Sequence, residues 1–315
     1  MKKALLIKVL LLFCVVLFAP SVFAADGATT PRFKPSISIG YAFAVETDFT
    51  FESLDGVGLA GLIKADHEIP NFSGIYVAGD FLFNFTDRLN LSAGVKGTFP
   101  LTDEENAETI NNGTAVRNWD TDKRYWYTAD LLVSYAFIKD ASFLKNLSAV
   151  AGFRYDYHKM SFDNARLTSG ALVTLPTDTT DIKMQTFSPV LGITSTLQGF
   201  KSGIFGGDIK LSLLGSPFVF GKIDYTEGFG DPAFRFNVDD NFDHAYFFNV
   251  GVEVTAISAK IGPRADLIVS LFGQYTRFVI DDDVVLTANT GSAKNYNFEA
   301  QPNTAVIGIK TAIEF

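Results

Sequence analysis

Long segments of this chain alternate apolar and polar residues with a period of two. In residues 305–315 the odd positions carry Ala, Ile, Ile, Thr, Ile and Phe, whereas Lys310 and Glu314 lie among smaller residues at the even positions. Because successive side chains of a β-strand point to opposite faces, this pattern predicts a strand with one apolar and one polar face. The same alternation recurs in residues 124–138, 147–162 and 242–258.

The length of these segments separates two all-β architectures, a soluble sandwich and a membrane barrel. The segments run for about 12 to 17 residues, against the five or six residues of an ordinary strand. Aromatic residues cluster at their ends, as at the two interfaces of a membrane, and the last segment ends on Phe315. No segment after residue 24 has an apolar run long enough for a spanning helix. We therefore predict a transmembrane antiparallel up-and-down β-barrel.

The alternation predicts ten strands in this barrel. The predicted strands are residues 35–46, 72–86, 89–100, 124–138, 147–162, 184–198, 203–216, 242–258, 264–280 and 303–315. Short turns alternate with segments of about twenty residues, which we predict to be extracellular loops, so that both termini are periplasmic. The predicted loops are residues 47–71, 101–123, 163–183, 217–241 and 281–302. An alternative in which residues 57–65 add a strand brings the count to twelve.

The first 24 residues have the pattern of a secretory signal peptide. Lys2 and Lys3 precede an apolar stretch that extends to Ala19, and small residues before Ala25 suit cleavage after Ala24. A membrane anchor is the weaker interpretation, because the apolar run is short. The mature domain, residues 25–315, is then a single barrel in the bacterial outer membrane. Cys14 leaves with the leader, which removes disulfide and thiolate chemistry.

The mature chain is acidic, and its acidic residues concentrate in the predicted loops. Loss of the three leader lysines reduces the 26 basic residues to 23, against 35 acidic residues, which argues against nucleic acid as a partner. The densest runs are Asp103 to Glu105 and Asp281 to Asp283. They are typical of solvated loops, and divalent-cation binding is the alternative. No calcium-loop or other metal-ligand spacing is present, so we predict neither a metal nor a cofactor.

Charged residues of both signs fall on the predicted inner face of the barrel. They are Asp80, Lys96, Asp130, Arg154, Asp156, His158, Lys210, Glu253 and Lys310. A ten-stranded barrel is only slightly wider than the eight-stranded kind that side chains fill, so ion pairs across the lumen predict a largely plugged, polar interior. A narrow channel for ions or small solutes is the alternative. A wide diffusion pore is excluded because porins need about sixteen strands.

Three short stretches resemble the omptins, the outer-membrane barrel proteases of Gram-negative bacteria. They are QTFSPVLGI at 185–193, AYFFNV at 245–250 and NYNF at 295–298. The resemblance covers mainly residues 147–315. It implies a ten-stranded barrel and a site in which water is activated between an Asp pair in one loop and an Asp-X-His arrangement in another.

The omptin-like site residues are only partly matched in this chain. Asp120 and Asp122 have the spacing of the first pair, but residues 217–241 contain no His. His244 follows Asp243 directly, and adjacent residues on a strand point to opposite faces unless the strand is interrupted there.

Three functions are compatible with the sequence. We favour a non-enzymatic surface barrel with a structural or interaction role. The alternatives are an omptin-like endopeptidase that uses those four residues, and the narrow channel. The expected partners are outer-membrane lipid, lipopolysaccharide and the barrel-assembly machinery. The assembly machinery would recognise the strand that ends at Phe315. The sequence does not identify a surface ligand.

Overall fold

The computed structural model describes residues 33–59, 62–69, 72–101, 106–167, 174–175, 180–227, 236–263 and 265–314. The predicted signal peptide and Phe315 lie outside these residues. No helix in the described part of the chain is long and apolar enough to cross a membrane.

Ten long antiparallel strands form one closed sheet. They are β1 (Phe33–Glu46 and Phe49–Ser53), β2 (Lys64–Glu68 and Phe72–Asn84), β3 (Leu89–Pro100 and Asn106–Asn111), β4 (Thr114–Ala141), β5 (Leu144–Leu167), β6 (Thr180–Leu197), β7 (Ile209–Ser216 and Phe220–Glu227), β8 (Phe236–Phe242 and Ala245–Gly262), β9 (Ala265–Ala288) and β10 (Ala293–Ala300 and Asn303–Glu314). Each strand pairs with its neighbours in sequence, and β1 pairs with β10 from Ser36↔Ala312 to Phe43↔Ala305. The closed ring confirms the predicted ten-stranded up-and-down barrel.

The strands are longer than the sequence pattern predicts, and most of the predicted loops are strand. β4 has 28 residues, and β5 and β9 have 24 each. The predicted loop 101–123 is largely a hairpin that turns at Asn112 and Gly113, whose φ angles of 50° and 76° suit a two-residue turn. The alternative prediction of an additional strand at residues 57–65 is wrong, because the strand in this region begins at Lys64 and is the first part of β2. These segments alternate polar residues outside and apolar residues inside, which is the reverse of the predicted strands and resembles the composition of loops.

Interruptions of six strands, β1, β2, β3, β7, β8 and β10, divide the barrel into two parts. The upper barrel comprises Phe49–Ser53, Lys64–Glu68, Asn106–Asn111, Phe220–Glu227, Phe236–Phe242 and Ala293–Ala300, with the adjoining ends of β4, β5, β6 and β9. The remainder is the lower barrel. It carries an outward belt of exposed apolar side chains, which include Ile39, Leu131, Phe153, Leu191, Leu271 and Ile309. Such a belt is typical of a barrel surrounded by lipid.

The polarity of the two faces reverses between the lower and the upper barrel. Along the inner face of β9, the buried residues Ser270 and Thr276 are followed by Phe278 and Ile280. On the outer face, the exposed apolar residue Leu271 gives way to the exposed acids Asp281 and Asp283. The inward and outward positions of β9 alternate without a shift along its whole length. The reversal therefore comes from a change in residue type at those positions and not from a shift in register. The upper barrel is therefore built like a water-exposed protein with an apolar core.

Aromatic side chains from opposite walls meet in the upper barrel. The rings of Phe51 on β1 and Phe298 on β10 stack with their centroids 5.1 Å apart, and the ring of Tyr225 on β7 lies 4.9 Å from that of Phe51. Other buried members of this core are Ile182, Met184, Ile223, Val238, Ile280, Val284, Leu286 and Tyr296. The described side chains thus fill the upper lumen with apolar groups.

Candidate functional site

Ion pairs line the lumen of the lower barrel. The carboxylate of Glu253 on β8 lies between two ammonium groups, 3.5 Å from Lys210 on β7 and 3.4 Å from Lys310 on β10. Nearby, Lys34 on β1 pairs with Glu314 on β10. Each of these ion pairs joins two different strands and therefore crosslinks the sheet. Among these residues of the lumen, each charge has a partner of the opposite sign.

A second group lies on β2, β3 and β4. The Nζ atom of Lys96 is 2.8 Å from the carboxylate of Asp130. The carboxylate of Asp80 lies over Gly94, where a built Cβ would stand 2.4 Å from Asp80 Oδ1 and 3.1 Å from Asp130 Oδ1. Glycine at this position leaves room for two carboxylates beside one ammonium group. The structure therefore places these three predicted inner-face residues together.

The third group is centred on Asp156 of β5, whose side chain is fully buried. Its Oδ2 accepts a hydrogen bond from Nε of Arg154 at 2.7 Å, and its Oδ1 accepts one from Nη2 of Arg154 at 2.7 Å. Oδ1 also accepts from the Thr128 hydroxyl at 2.6 Å and from the Trp126 indole N–H at 3.0 Å. Four hydrogen bonds, two of them from the arginine, satisfy the buried charge of Asp156.

Aromatic rings lie directly beside this group and bridge the lumen. The guanidinium of Arg154 lies 5.1 Å from the ring centroid of Phe247 and 5.5 Å from that of Phe278. The imidazole of His158 is 4.0 Å from the ring of Trp126, and Trp126 on β4 is 6.0 Å from Phe278 on β9. His158 is buried and contacts rings, so it is part of the packing between the ionic groups and the upper core.

The four residues of the omptin-like alternative lie on different parts of the ring. Asp120 is on β4, opposite Asn106 of β3 and Asp163 of β5. Asp122 is on the same strand, and its side chain lies outside the described residues. His244 and Asp243 are on β8, four strands away, and the imidazole contacts Asp243 and Asp282. The described contacts join Asp243 to His244 and do not join either of them to Asp120.

Asp243 and His244 form a bulge in β8. Phe242 pairs with Gly221 and Ala245 pairs with Ile280, which leaves the two intervening residues outside the ladder. Both side chains are exposed, by 67% and 79%. The bulge lets adjacent residues meet, with His244 Nδ1 3.3 Å from Asp243 Oδ1. Adjacency on a regular strand would keep them on opposite faces.

The carboxylate of Asp282 on β9 holds this bulge in place. Its Oδ2 accepts the backbone N–H groups of Asp243 at 2.6 Å and His244 at 3.0 Å. Its Oδ1 accepts the backbone N–H of Asp283 at 2.8 Å and lies 3.3 Å from His244 Nδ1. Burial raises the pKa of Asp282, but the hydrogen bonds from these backbone groups outweigh it and hold the pKa below its ordinary value.

We expect His244 to titrate above the ordinary histidine pKa of about 6.5. The hydrogen bond to Asp282 and the charges of Asp282 and Asp243 favour the imidazolium and raise its pKa. Its contribution to stability is therefore fully present below pH 6.5 and is lost as the pH rises through the raised folded-state pKa. An NMR titration of the imidazole resonances in detergent micelles measures this directly, because the chain has three histidines.

The variant Asp282→Asn should return the His244 pKa toward the ordinary value. Asp283→Asn is the matched control, since it removes a neighbouring exposed charge without touching the imidazole, and it should change the pKa much less. A wild-type His244 pKa at or below about 6.5 would contradict the expectation.

A buried polar contact across the upper barrel was not predicted from the sequence. The Tyr225 hydroxyl on β7 donates to Glu227 Oε2 at 2.5 Å, and Nε2 of His67 on β2 lies 3.0 Å from the same hydroxyl oxygen. The His67 ring stacks on Phe49 at 4.4 Å. The i, i+2 spacing of Tyr225 and Glu227 indicated a shared face, but no local signal connects them with a residue 158 positions away.

Comparisons with known proteins identify a fold and no family. No protein-family model matches the chain, and no curated protein matches it. The crystal structure of the outer membrane protease OmpT from Escherichia coli superimposes with a TM-score of 0.67 at 13% identity, over 91% of this chain and 98% of that one. The outer membrane protein OprG from Pseudomonas aeruginosa gives a TM-score of 0.36 at 11% identity, over 90% and 97%. The chain therefore has the fold of an outer-membrane β-barrel of the omptin type.

Proposed function

We propose that this protein is a closed, non-enzymatic barrel of the bacterial outer membrane that presents its acidic upper barrel at the cell surface. The observation that carries the proposal is the apolar core of the upper barrel. Phe51, Tyr225 and Phe298 come from three separate strands, and the ring of Phe51 contacts the rings of the other two inside the barrel. An ion or a peptide that entered the lumen from this end would have to displace fully buried rings.

The interior of the lower barrel supports a closed state as well. Glu253, Asp130 and Asp156 are each paired with a cation, so the lumen has no unmatched run of one sign among the described residues named here. Conduction would require these pairs to separate. Breaking the buried pair of Arg154 and Asp156 is costly because each charge is left without compensation. The pairs of Glu253 with Lys210 and of Asp130 with Lys96 join different strands and so act as crosslinks between them.

The outer face of the upper barrel supports a role at the surface. Its exposed acids include Glu52, Glu68, Asp239, Asp281, Asp283 and Glu299. An acidic exterior over an apolar core is suited to water, whereas the belt below it is suited to lipid. In this proposal lipid and lipopolysaccharide surround the belt, the assembly machinery reads the last strand, and the upper barrel is extracellular.

The position of His244 argues against proteolysis of the omptin type. The imidazole lies on an exposed bulge with Asp243 and Asp282, and Asp120 lies four strands away. A general base must reach the water that it activates together with its partner groups. Among the described residues the imidazole contacts Asp243 and Asp282 and not Asp120, so no described contact joins the residues that the resemblance implies into one site.

We expect the refolded, heat-modifiable protein to give no discrete conductance steps in planar bilayers and to leave a peptide library intact. The reason for both results is the filled lumen. Conductance and peptide cleavage are measured for the wild type and for two variants, Glu253→Gln and His244→Ala. Glu253→Gln removes one charge from the lumen. Steps whose size changes in Glu253→Gln would overturn the closed barrel in favour of a channel. Cleavage that disappears in His244→Ala would overturn the non-enzymatic role.

A further inference from the structure

We propose that Asp243, His244 and Asp282 form a binding site for a divalent transition-metal ion of the Zn²⁺ type at the exposed bulge of β8 in the upper barrel. The site goes beyond the closed-barrel function and does not depend on it. It draws one imidazole nitrogen and two carboxylate oxygens from β8 and β9, and these atoms all lie within 4.8 Å of one another.

The spacing of the donor atoms suits coordination. Nδ1 of His244 lies 3.3 Å from Asp243 Oδ1 and 3.3 Å from Asp282 Oδ1. Charge-assisted hydrogen bonds are shorter, at about 2.7–2.9 Å. Two ligand atoms bound at 2.0–2.1 Å to one tetrahedral ion stand about 3.4 Å apart. Both distances are therefore close to the edge of a coordination tetrahedron, and the long hydrogen bond between His244 and Asp282 uses the same two ligand atoms.

The bulge also fixes the ligands in place. Asp282 has a side chain only 13% exposed, and three backbone N–H groups donate to its carboxylate. This carboxylate is oriented before any ion arrives, and such outer contacts tune metal affinity. The exposure of Asp243 and His244 leaves the opposite side of the ion open to water, which completes the coordination.

The ligand set selects the class of ion. A nitrogen ligand and two carboxylates suit Zn²⁺ and its transition-metal neighbours, whereas Ca²⁺ requires six to eight oxygen ligands. Two further acids, Asp281 and Asp283, flank Asp282 on β9 and raise the local concentration of any dication. Selectivity for Zn²⁺ over Ca²⁺ therefore distinguishes a site that contains the imidazole from a general acidic surface.

The proposed site can be tested by isothermal titration of Zn²⁺ into tag-free, refolded protein in detergent. We expect one equivalent of Zn²⁺ to bind, with equimolar Ca²⁺ unable to displace it. His244→Ala and Asp243→Asn should each weaken binding by about tenfold or more. Because these two side chains are exposed, their replacement leaves the strand ladders intact, and heat-modifiable migration on gels verifies folding. Binding should also weaken as the pH falls, since the imidazole must lose its proton to bind.

Asp283→Asn is the matched control for charge. It removes one exposed carboxylate beside the site but no proposed ligand, so binding should remain close to that of wild type. Equal affinity in wild type and His244→Ala would overturn the proposal. Equal losses in Asp243→Asn and Asp283→Asn, or displacement of Zn²⁺ by equimolar Ca²⁺, would also overturn it, because they indicate a general electrostatic effect.

Discussion

Replacing Asp156 with alanine should lower the free energy of unfolding by about 3–5 kcal/mol, because it leaves the buried guanidinium of Arg154 without its counter-charge. The Arg154 side chain is 7% exposed and that of Asp156 is fully buried. The substitution also removes the acceptor for Trp126 and Thr128. Urea titration of the protein refolded into lipid vesicles, followed by tryptophan fluorescence, measures the change.

Two further variants separate charge from packing. Asp239→Ala is the exposed control, since its side chain is 71% exposed and paired with Lys222, and it should cost about 0–1 kcal/mol. The double variant Arg154→Met with Asp156→Leu should recover most of the loss, because neither charge then remains buried. A cost for Asp156→Ala no larger than that for Asp239→Ala would show that the ionic group does not stabilise the barrel.

Replacing Phe298 with alanine should lower the free energy of unfolding by about 3–5 kcal/mol, the usual cost of removing a buried aromatic side chain. Phe298 is completely buried and lies against Phe51, Phe49 and Phe242. The cavity would open at the centre of the upper barrel, between β1, β8 and β10. The same urea titration measures the loss.

Val285→Ala provides the control for the Phe298 experiment. Val285 lies on the outer face of β9 and is 41% exposed, so its truncation should change stability by no more than about 0.5 kcal/mol. A loss below about 1 kcal/mol for Phe298→Ala would mean that the upper barrel has no tightly packed core. That result would also weaken the closed-barrel function, which depends on this core.

The sequence predicted the number of strands and their connection because alternation is a local property. Leu131 and Val133, or Val250 and Val252, share a face whatever the rest of the chain does. The same rule also applies to the upper barrel, where Ile182 and Met184 on β6 are buried and Asp181 and Lys183 face outward. The upper segments also contain acids and turn residues, which are typical of loops, so their composition conceals the period of two that marks a strand.

The candidate sites could be predicted only in part, for a related reason. Asp156 and Arg154 share a face by their spacing, so their inward position follows from the strand alone. The bulge that brings Asp243 to His244 depends on Asp282, a residue 38 positions away. The meeting of Tyr225 with His67 depends on barrel closure, which places β7 and β2 on facing walls. Contacts of this kind have no signal in a single sequence.

The sequence by itself determined that the chain forms an up-and-down β-barrel and favoured ten strands over twelve, because residue alternation sets which side chains share a face. Only the tertiary structure decided that the barrel has two parts of opposite polarity. Closure of the ring makes the inner face a common interior, and that interior is polar beside the belt and apolar above it. Which charges pair there, and where β8 bulges, depend on distances between strands that are far apart in sequence.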